Sequence, residues 1–370
     1  MDMLQSLVEA VEQVVDKSAV DLMERTTIGP GAKTPQGCGA GAGSRMTTRN
    51  GGKSVGGRAG GDAGGGDSSE AGEEKVYKEA MKELQYLEVA ELKGFAYAKD
   101  AAATISRTNQ KRVKRLAQEH ADLSASLPLT LSSSVFVRAH ESLMDCIQVI
   151  ISGPENTPYS CGFFLFDIFF PGDYPNVPPK VKIITTGGGK VRFNPNLYND
   201  GKVCLSLLGT WDGEKGESWN EKTSTLLQVI VSIQSLILVP DPFFNEPGYE
   251  RKMGTADGNL QSREYNSPIR QATIQLAMIQ MLNHPPAGFE DVVQRHFYLR
   301  RRAVVKMVDR YIQDEDATEG ARARLHATRL RDLRKQLVPE LQRLTAPTGI
   351  PEQAFKVDPA PEMPDKAGST

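Results

Sequence analysis
A chain of 370 residues with a formal net charge of −2 gives no bulk electrostatic case for a nucleic-acid partner, and it is long enough for one or two domains with cores of their own. Its four cysteines, Cys38, Cys146, Cys161 and Cys204, lie far apart and form no Cys-x-x-Cys pair, which argues against a zinc site and a disulfide scaffold and suits the cytoplasm or nucleus. No apolar run reaches the roughly eighteen residues of a membrane span, and the N-terminus lacks the basic start and apolar centre of a secretion signal, so no membrane partner is expected.

Residues 1–27 read as an amphipathic helix, with Leu4, Leu7, Val8, Val11, Val15 and Leu22 at helical spacing. It suits either a helix packed on the main domain or a docking or self-association helix. Residues 28–74 are glycine-rich and almost without aromatics, so they cannot bury enough apolar surface to offset their ordering entropy. This stretch reads as a disordered linker, spanning roughly 35–40 Å root-mean-square. Residues 75–107 form a lead-in segment, with a helical pattern from Lys75 to Tyr86 and then Phe95 and Tyr97 in a strand or loop. A helix follows from Thr108, through Val113, Leu116, Ala117 and Leu123, and Pro128 ends it.

Four apolar, β-rich runs come next: Ser134 to Ala139, Cys146 to Ser152, Gly162 to Phe170 and Val181 to Thr186. Turn residues bound each, as consecutive antiparallel strands require. The glycines and lysine of Thr185 to Lys190 do not make a phosphate loop, because Ile184 stands where a glycine is needed and Val191 where Ser or Thr is needed.

The chain then reaches Phe193-Asn194-Pro195-Asn196-Leu197-Tyr198-Asn199-Asp200-Gly201-Lys202-Val203-Cys204. Asn194-Pro195-Asn196 and Asn199-Asp200-Gly201 are turn signals. A lone cysteine in an apolar run is commonly a small buried hydrophobe. Here it follows an amide side chain held in a rigid turn, which is also a possible active site. Leu226 to Leu238 is apolar nearly all round and therefore reads as a buried helix. Tyr249 to Tyr265 reads as a polar insertion, and Ile269 to Leu282 and Phe289 to Ile312 read as helices. Residues 316–345 form a basic amphipathic helix with a leucine stripe, which Pro339 should kink, packed on the domain or serving as a weak coiled-coil partner. Residues 346–370 read as a disordered tail.

Four motifs in this order resemble those of the ubiquitin-conjugating enzymes. They are Gly153 to Phe164, Pro171 to Val181, Asn194-Pro195-Asn196 with Cys204 eight residues beyond Asn196, and Trp219 followed by the Leu226 to Leu238 helix. Most of that family has histidine at the position of Asn194. The subfamily of the giant BIR-repeat conjugating enzymes carries asparagine there, and Phe244 to Arg251, Ser262 to Tyr265 and His296 to Leu299 are similar to it as well, although no BIR signature is present.

The resemblance implies an α+β fold over residues 108–315: an N-terminal helix, a four-stranded antiparallel sheet, and central and C-terminal helices covering one face. It implies that Cys204 accepts ubiquitin as a thioester and that the chain passes it to substrate lysines, with some ligase behaviour of its own. Asn196 would stabilise the oxyanion or support the loop, and Asn194 would support the loop in place of histidine. Asp241 or Glu246 would orient the lysine. The implied partners are ubiquitin, the ubiquitin-activating enzyme and protein substrates. RING-ligase binding would be weak or atypical, because Asn176, Glu221 and Lys222 stand at the usual docking positions. No metal or tightly bound cofactor is implied, ATP being consumed by the activating enzyme. Two alternatives stay open: an inert ubiquitin-binding scaffold, which Cys204 disfavours, and conjugation of another ubiquitin-like modifier.

Overall fold
The computed structural model describes residues 67–104, 110–211 and 217–350. The expected helix over 1–27, the linker up to residue 66 and residues 351–370 of the tail lie outside the described residues.

The sheet follows from period-2 patterning. Strands β2 (Val135–His140), β3 (Cys146–Ser152), β4 (Phe163–Phe169) and β5 (Lys180–Ile183) pair antiparallel in chain order. A further strand, β1 (Tyr86–Val89), lies parallel to β2 and makes the sheet five-stranded and mixed, which corrects the expected four antiparallel strands. Its central residues, Leu87 and Glu88, are exposed, so it carries no buried alternation to betray it.

Alternate residues along β2 to β4 serve two cores. Val137, Val149, Phe166 and Ile168 share one core with Leu116 of α3 (Gln110–Ser126) and Val229 and Ile230 of α4 (Leu226–Ser232). Phe136, Ile150, Phe163 and Leu165 share the other with Tyr77 and Met81 of α1 (Asp67–Met81). Phe163 meets His296 and Phe297 of a long helix, Glu290–Asp316, at ring-centroid separations of 4.1 and 5.5 Å. Both faces of the sheet are therefore covered, not one as expected. A strand buried on both sides is apolar at most positions, which explains the runs seen in β3 and β4; Gln148 and Asp167 interrupt them and are buried as a pair, the Gln148 amide donating to the Asp167 carboxylate at 2.9 Å.

Three further corrections concern helices. The helix α1 begins at Asp67, inside the stretch read as linker, and a short helix α2 (Ala98–Thr104) completes the lead-in. The polar insertion is mostly helix: α5 runs over Ala256–Ile274, capped by the Thr255 side chain accepting from the Gly258 N–H, and continues through a π segment (Gln275–Ile279) into α6 (Gln280–Asn283). After α7 (Glu290–Asp316) comes α8 (Ala321–Gln342), which runs through Pro339 and buries Leu330, Leu333, Leu337 and Leu341 in the second core. The leucine stripe is thus used within the chain.

Two links place the site. Glu119 of α3 accepts the Leu226 N–H at 2.8 Å, so a buried carboxylate meets the amide end of α4. At the far end α4 loosens into a π segment (Ile233–Ile237), closed by Leu238 N–H donating to the Ile233 carbonyl at 3.0 Å. The loop carrying Cys204 hangs on β5: Ile183 N–H donates to the Gly201 carbonyl at 2.9 Å, and Lys182 pairs with Lys202. Gly201 has φ +95°, and a Cβ there would stand 2.6 Å from the Lys182 side chain, so the close approach requires glycine.

Candidate active site
Local turn chemistry builds the loop. Leu197 N–H donates to the Asn194 carbonyl at 2.9 Å, closing a turn around Pro195. Gly201 N–H donates to the Tyr198 carbonyl at 3.0 Å, while the Asp200 carboxylate accepts from the Lys202 N–H at 2.9 Å. The chain doubles back between these turns and Leu197 bridges to Val203. Asn196 and Cys204 are left side by side. Cys204 N–H donates to the Asn196 carbonyl at 2.8 Å, and the Asn196 side-chain amide donates to the Cys204 carbonyl at 3.0 Å.

Asn194 is fully buried beneath this pair. Its amide nitrogen donates to the Ile237 carbonyl at 2.7 Å and to the Tyr159 hydroxyl at 3.2 Å. Its amide oxygen accepts the Asn196 N–H at 2.8 Å and the Asn245 side-chain N–H at 3.4 Å. Tyr159 in turn donates to the Phe193 carbonyl at 2.8 Å. The loop is thus tied to the last turn of the central helix, whose carbonyls lack helical partners. Asn245 reinforces that junction by donating to the Leu236 carbonyl at 3.0 Å. On the C-terminal side the Thr210 hydroxyl donates to the Val203 carbonyl at 2.7 Å and accepts the Leu205 N–H at 3.0 Å.

The two acidic candidates part company. Arg192 donates to the Pro195 carbonyl at 2.6 Å, stands 4.2 Å over the Tyr198 ring and meets Glu246 at 3.6 Å. Glu246 is therefore joined to the asparagine turn through one guanidinium. Asp241 instead accepts the Ser262 hydroxyl at 2.6 Å, which ties it to α5.

Cys204 is 2% exposed. Burial pushes its thiol above the ordinary value; Lys202 and then Arg192 pull it down, and Asp200 pushes it up. Its proton is thus held more firmly than that of a free thiol. Among the described residues no group of three or more His, Cys, Asp and Glu is placed to hold a metal ion.

Sequence reasoning missed Arg192, Asn245 and Thr210 as loop supports and used Tyr159 only as part of a motif. A hydroxyl thirty-odd residues upstream of Asn194 and an amide some fifty downstream leave no local pattern to find them by.

The cysteine loop thus hangs on the antiparallel edge of the mixed sheet and is tied to a buried central helix. Residues 115–273 match the family model described as ubiquitin-conjugating enzyme, so the chain carries a domain of that family. It is 50% identical over 257 residues to the dual E2 ubiquitin-conjugating enzyme/E3 ubiquitin-protein ligase BIRC6 of Homo sapiens, an alignment covering 68% of this chain and 5% of that protein. It is 46% identical over 252 residues to the probable ubiquitin-conjugating enzyme protein 17 of Caenorhabditis elegans, covering 65% of this chain and 34% of that one. A probable ubiquitin-conjugating enzyme E2 25 of Arabidopsis thaliana is 46% identical over 209 residues, covering 56% and 33%. The chain thus spans a small part of the human relative and about a third of the other two.

Proposed function
We propose that the chain is a ubiquitin-conjugating enzyme acting in the cytoplasm or nucleus, with Cys204 as the thioester-forming nucleophile. The observation that carries this reading is the reciprocal clamp of Asn196 and Cys204 inside a core that matches the conjugating-enzyme family.

In the first step the Cys204 thiolate attacks the thioester carbonyl of ubiquitin on its activating enzyme. A new S–C bond forms, the old one breaks, and the activating enzyme's thiolate leaves. The acyl group arrives already activated, ATP having been consumed upstream, so Cys204 needs no lowered pKa. In the second step a substrate lysine amine attacks the Cys204 thioester; the C–N bond forms, the amine loses a proton and the Cys204 thiolate departs.

The Asn196 amide nitrogen carries two hydrogens. One holds the Cys204 carbonyl, fixing the loop, and the other is left to serve the oxyanion of the tetrahedral intermediate. Asn194 supports that loop from below with both halves of its amide, as a histidine with one donor and one acceptor would. Glu246, held beside the asparagine turn by Arg192, is the better placed of the two carboxylates to orient the incoming lysine.

The reading extends to ligase behaviour of its own, which one relative carries in its name. Two exposed side chains support it: Asn176 beside Val177, and Lys222, both polar where a RING ligase would need apolar contact. The experiment is a charging assay with activating enzyme, ATP and ubiquitin, run on reducing and non-reducing gels. A thiol-sensitive adduct lost in Cys204→Ala supports the reading. A folded protein that takes no modifier overturns it and leaves the inert scaffold, and charging by a different ubiquitin-like protein overturns the choice of modifier.

A further inference from the structure
The far end of the central helix presents two adjacent carbonyls to side chains. In an α-helical turn the Leu236 carbonyl would take the N–H four residues on, and Pro240 stands there with none to give. The Asn245 side-chain amide takes that place, donating to the Leu236 carbonyl at 3.0 Å. The next carbonyl, that of Ile237, accepts the Asn194 amide at 2.7 Å. One helix end is thus capped by two asparagines from different segments, the thiol loop and the turn Pro242–Asn245. Those asparagines also meet each other: Asn194 Oδ1 accepts the Asn245 side chain at 3.4 Å as well as the Asn196 N–H at 2.8 Å.

What Asn245 holds in place is its neighbour. Phe243 and Phe244, just before it, are buried in the first core, and Glu246 follows it directly. Consecutive Cα atoms are about 3.8 Å apart, so fixing Asn245 fixes where the Glu246 side chain starts. The head of that side chain is held separately. Its buried Oε2 meets Arg192 at 3.6 Å, and Arg192 donates to the Pro195 carbonyl at 2.6 Å. Glu246 is therefore tied at both ends to the same Asn194-Pro195-Asn196 turn, while its side chain keeps 32% exposure. Asp241 precedes both phenylalanines and is fastened to α5 through Ser262, so it shares neither tie.

We propose that Asn245 is a positioning residue for the transfer step, setting Glu246 in register with the Asn196–Cys204 pair, on the reading that Cys204 bears the thioester and Glu246 orients the lysine. In that step the lysine nitrogen bonds to the thioester carbon, the C–S bond breaks, the Cys204 thiolate leaves and the nitrogen sheds a proton. A carboxylate aids a nucleophile that must be aimed and deprotonated. Asn245 acts through that carboxylate, so its worth depends on the nucleophile. A side chain that only capped the helix would alter every reaction of the loop alike.

The test compares two nucleophiles on the charged full chain in single-turnover assays: free lysine, and hydroxylamine, which is small and unprotonated at neutral pH. Asn245→Ala should lower the ratio of lysine to hydroxylamine discharge by about ten- to a hundredfold, the scale of a misplacement of about 1 Å. Glu246→Gln should lower the same ratio. Adding Asn245→Ala to it should lower the ratio no further, as for residues that act through one group. Thermal melting checks that Asn245→Ala is folded at the assay temperature; if it is not, Asn245→Ser, too short to span to the Leu236 carbonyl, takes its place. An unchanged ratio in the folded variant, equal slowing with both nucleophiles, or a loss that adds to that of Glu246→Gln overturns the proposal while Cys204 still charges. Failure of Cys204 to charge at all overturns the underlying reading, and the proposal with it.

Discussion

Asn194→Ala tests the link between loop and helix most directly. The substitution removes two good hydrogen bonds, to the Ile237 carbonyl at 2.7 Å and from the Asn196 N–H at 2.8 Å, and two longer ones to Tyr159 and Asn245. Ile237 keeps a second bond, from the Val239 N–H at 2.9 Å, and Tyr159 keeps Phe193, so neither is orphaned. Asn196 N–H loses its acceptor. At roughly 1 kcal/mol for each short bond and about 1 more for the unpaired N–H, the loss is about 2–4 kcal/mol. For a body of this size that lowers Tm by roughly 5–10 °C. The variant should still fold, because its two cores are untouched. Differential scanning fluorimetry reads the Tm, and a single-turnover assay below it reads discharge of Cys204 to free lysine. Discharge should slow more than charging, since the Asn196 backbone is what has been released. A Tm change under about 1 °C with unaltered discharge would refute the claim that Asn194 holds the site.

Other outcomes follow from the same geometry. Asn196→Ala should slow discharge to lysine by about 10²–10³-fold, the usual worth of one oxyanion donor, with a smaller effect on charging; equal slowing of both would leave only a loop-holding role. Because burial raises the Cys204 thiol, the charging rate should keep climbing with pH past the ordinary thiol range near 8.5, and a plateau below pH 8 in a chemistry-limited assay would contradict this. Lys202 pulls that thiol down, so Lys202→Gln should slow charging at pH 7 and lose its effect at high pH, as a rate-against-pH series would record. Leu337→Ala, at a 1% exposed position on α8, should cost about 2–5 kcal/mol in denaturant melts; an unaffected midpoint would mean that the stripe serves a partner instead.

What was legible in the sequence was whatever had a short period or a local turn. Strands β2 to β5 announced themselves by apolar runs between turn residues, and the central helix by being apolar all round. Asn194, Asn196 and Cys204 stood out because turn chemistry and the thiol share twelve consecutive residues, and the structure brings them together. Elements that depend on distant packing were missed. The strand β1 exposes its middle and exists because β2 offers it a ladder, as in the Val137 N–H donating to the Gln85 carbonyl at 2.6 Å. The start of α5 is polar because its outer face is solvated, so Asp257, Asn259, Gln261 and Arg263 read as insertion, while Tyr265, Ile269 and Ala272 carry its burial. Coverage of the second sheet face was written in the same runs but not read from them: a strand covered on one face alternates apolar with polar, whereas β3 and β4 are apolar at most positions of both alternations. Arg192 is the clearest omission at the site: one guanidinium joins Pro195, Tyr198 and Glu246, and nothing in Lys190-Val191-Arg192-Phe193 marks it.

The attachment of the thiol loop to β5 also closes part of an outer strand of the sheet. A bare outer strand offers unsatisfied N–H and C=O groups to any extended peptide, including another copy of the same chain. Here the Lys182–Lys202 bridge and the Ile183 to Gly201 bond fill part of that outer rim with the segment that carries Cys204. Lysines on both sides of the bridge add like charge against an approaching strand. Damage that frees the loop therefore does two things at once: it releases Cys204 and uncovers a template for aggregation. Loss of activity in a loop-destabilised variant should then be accompanied by loss of solubility, and the two are separable only by substitutions, such as Cys204→Ala, that leave the rim closed.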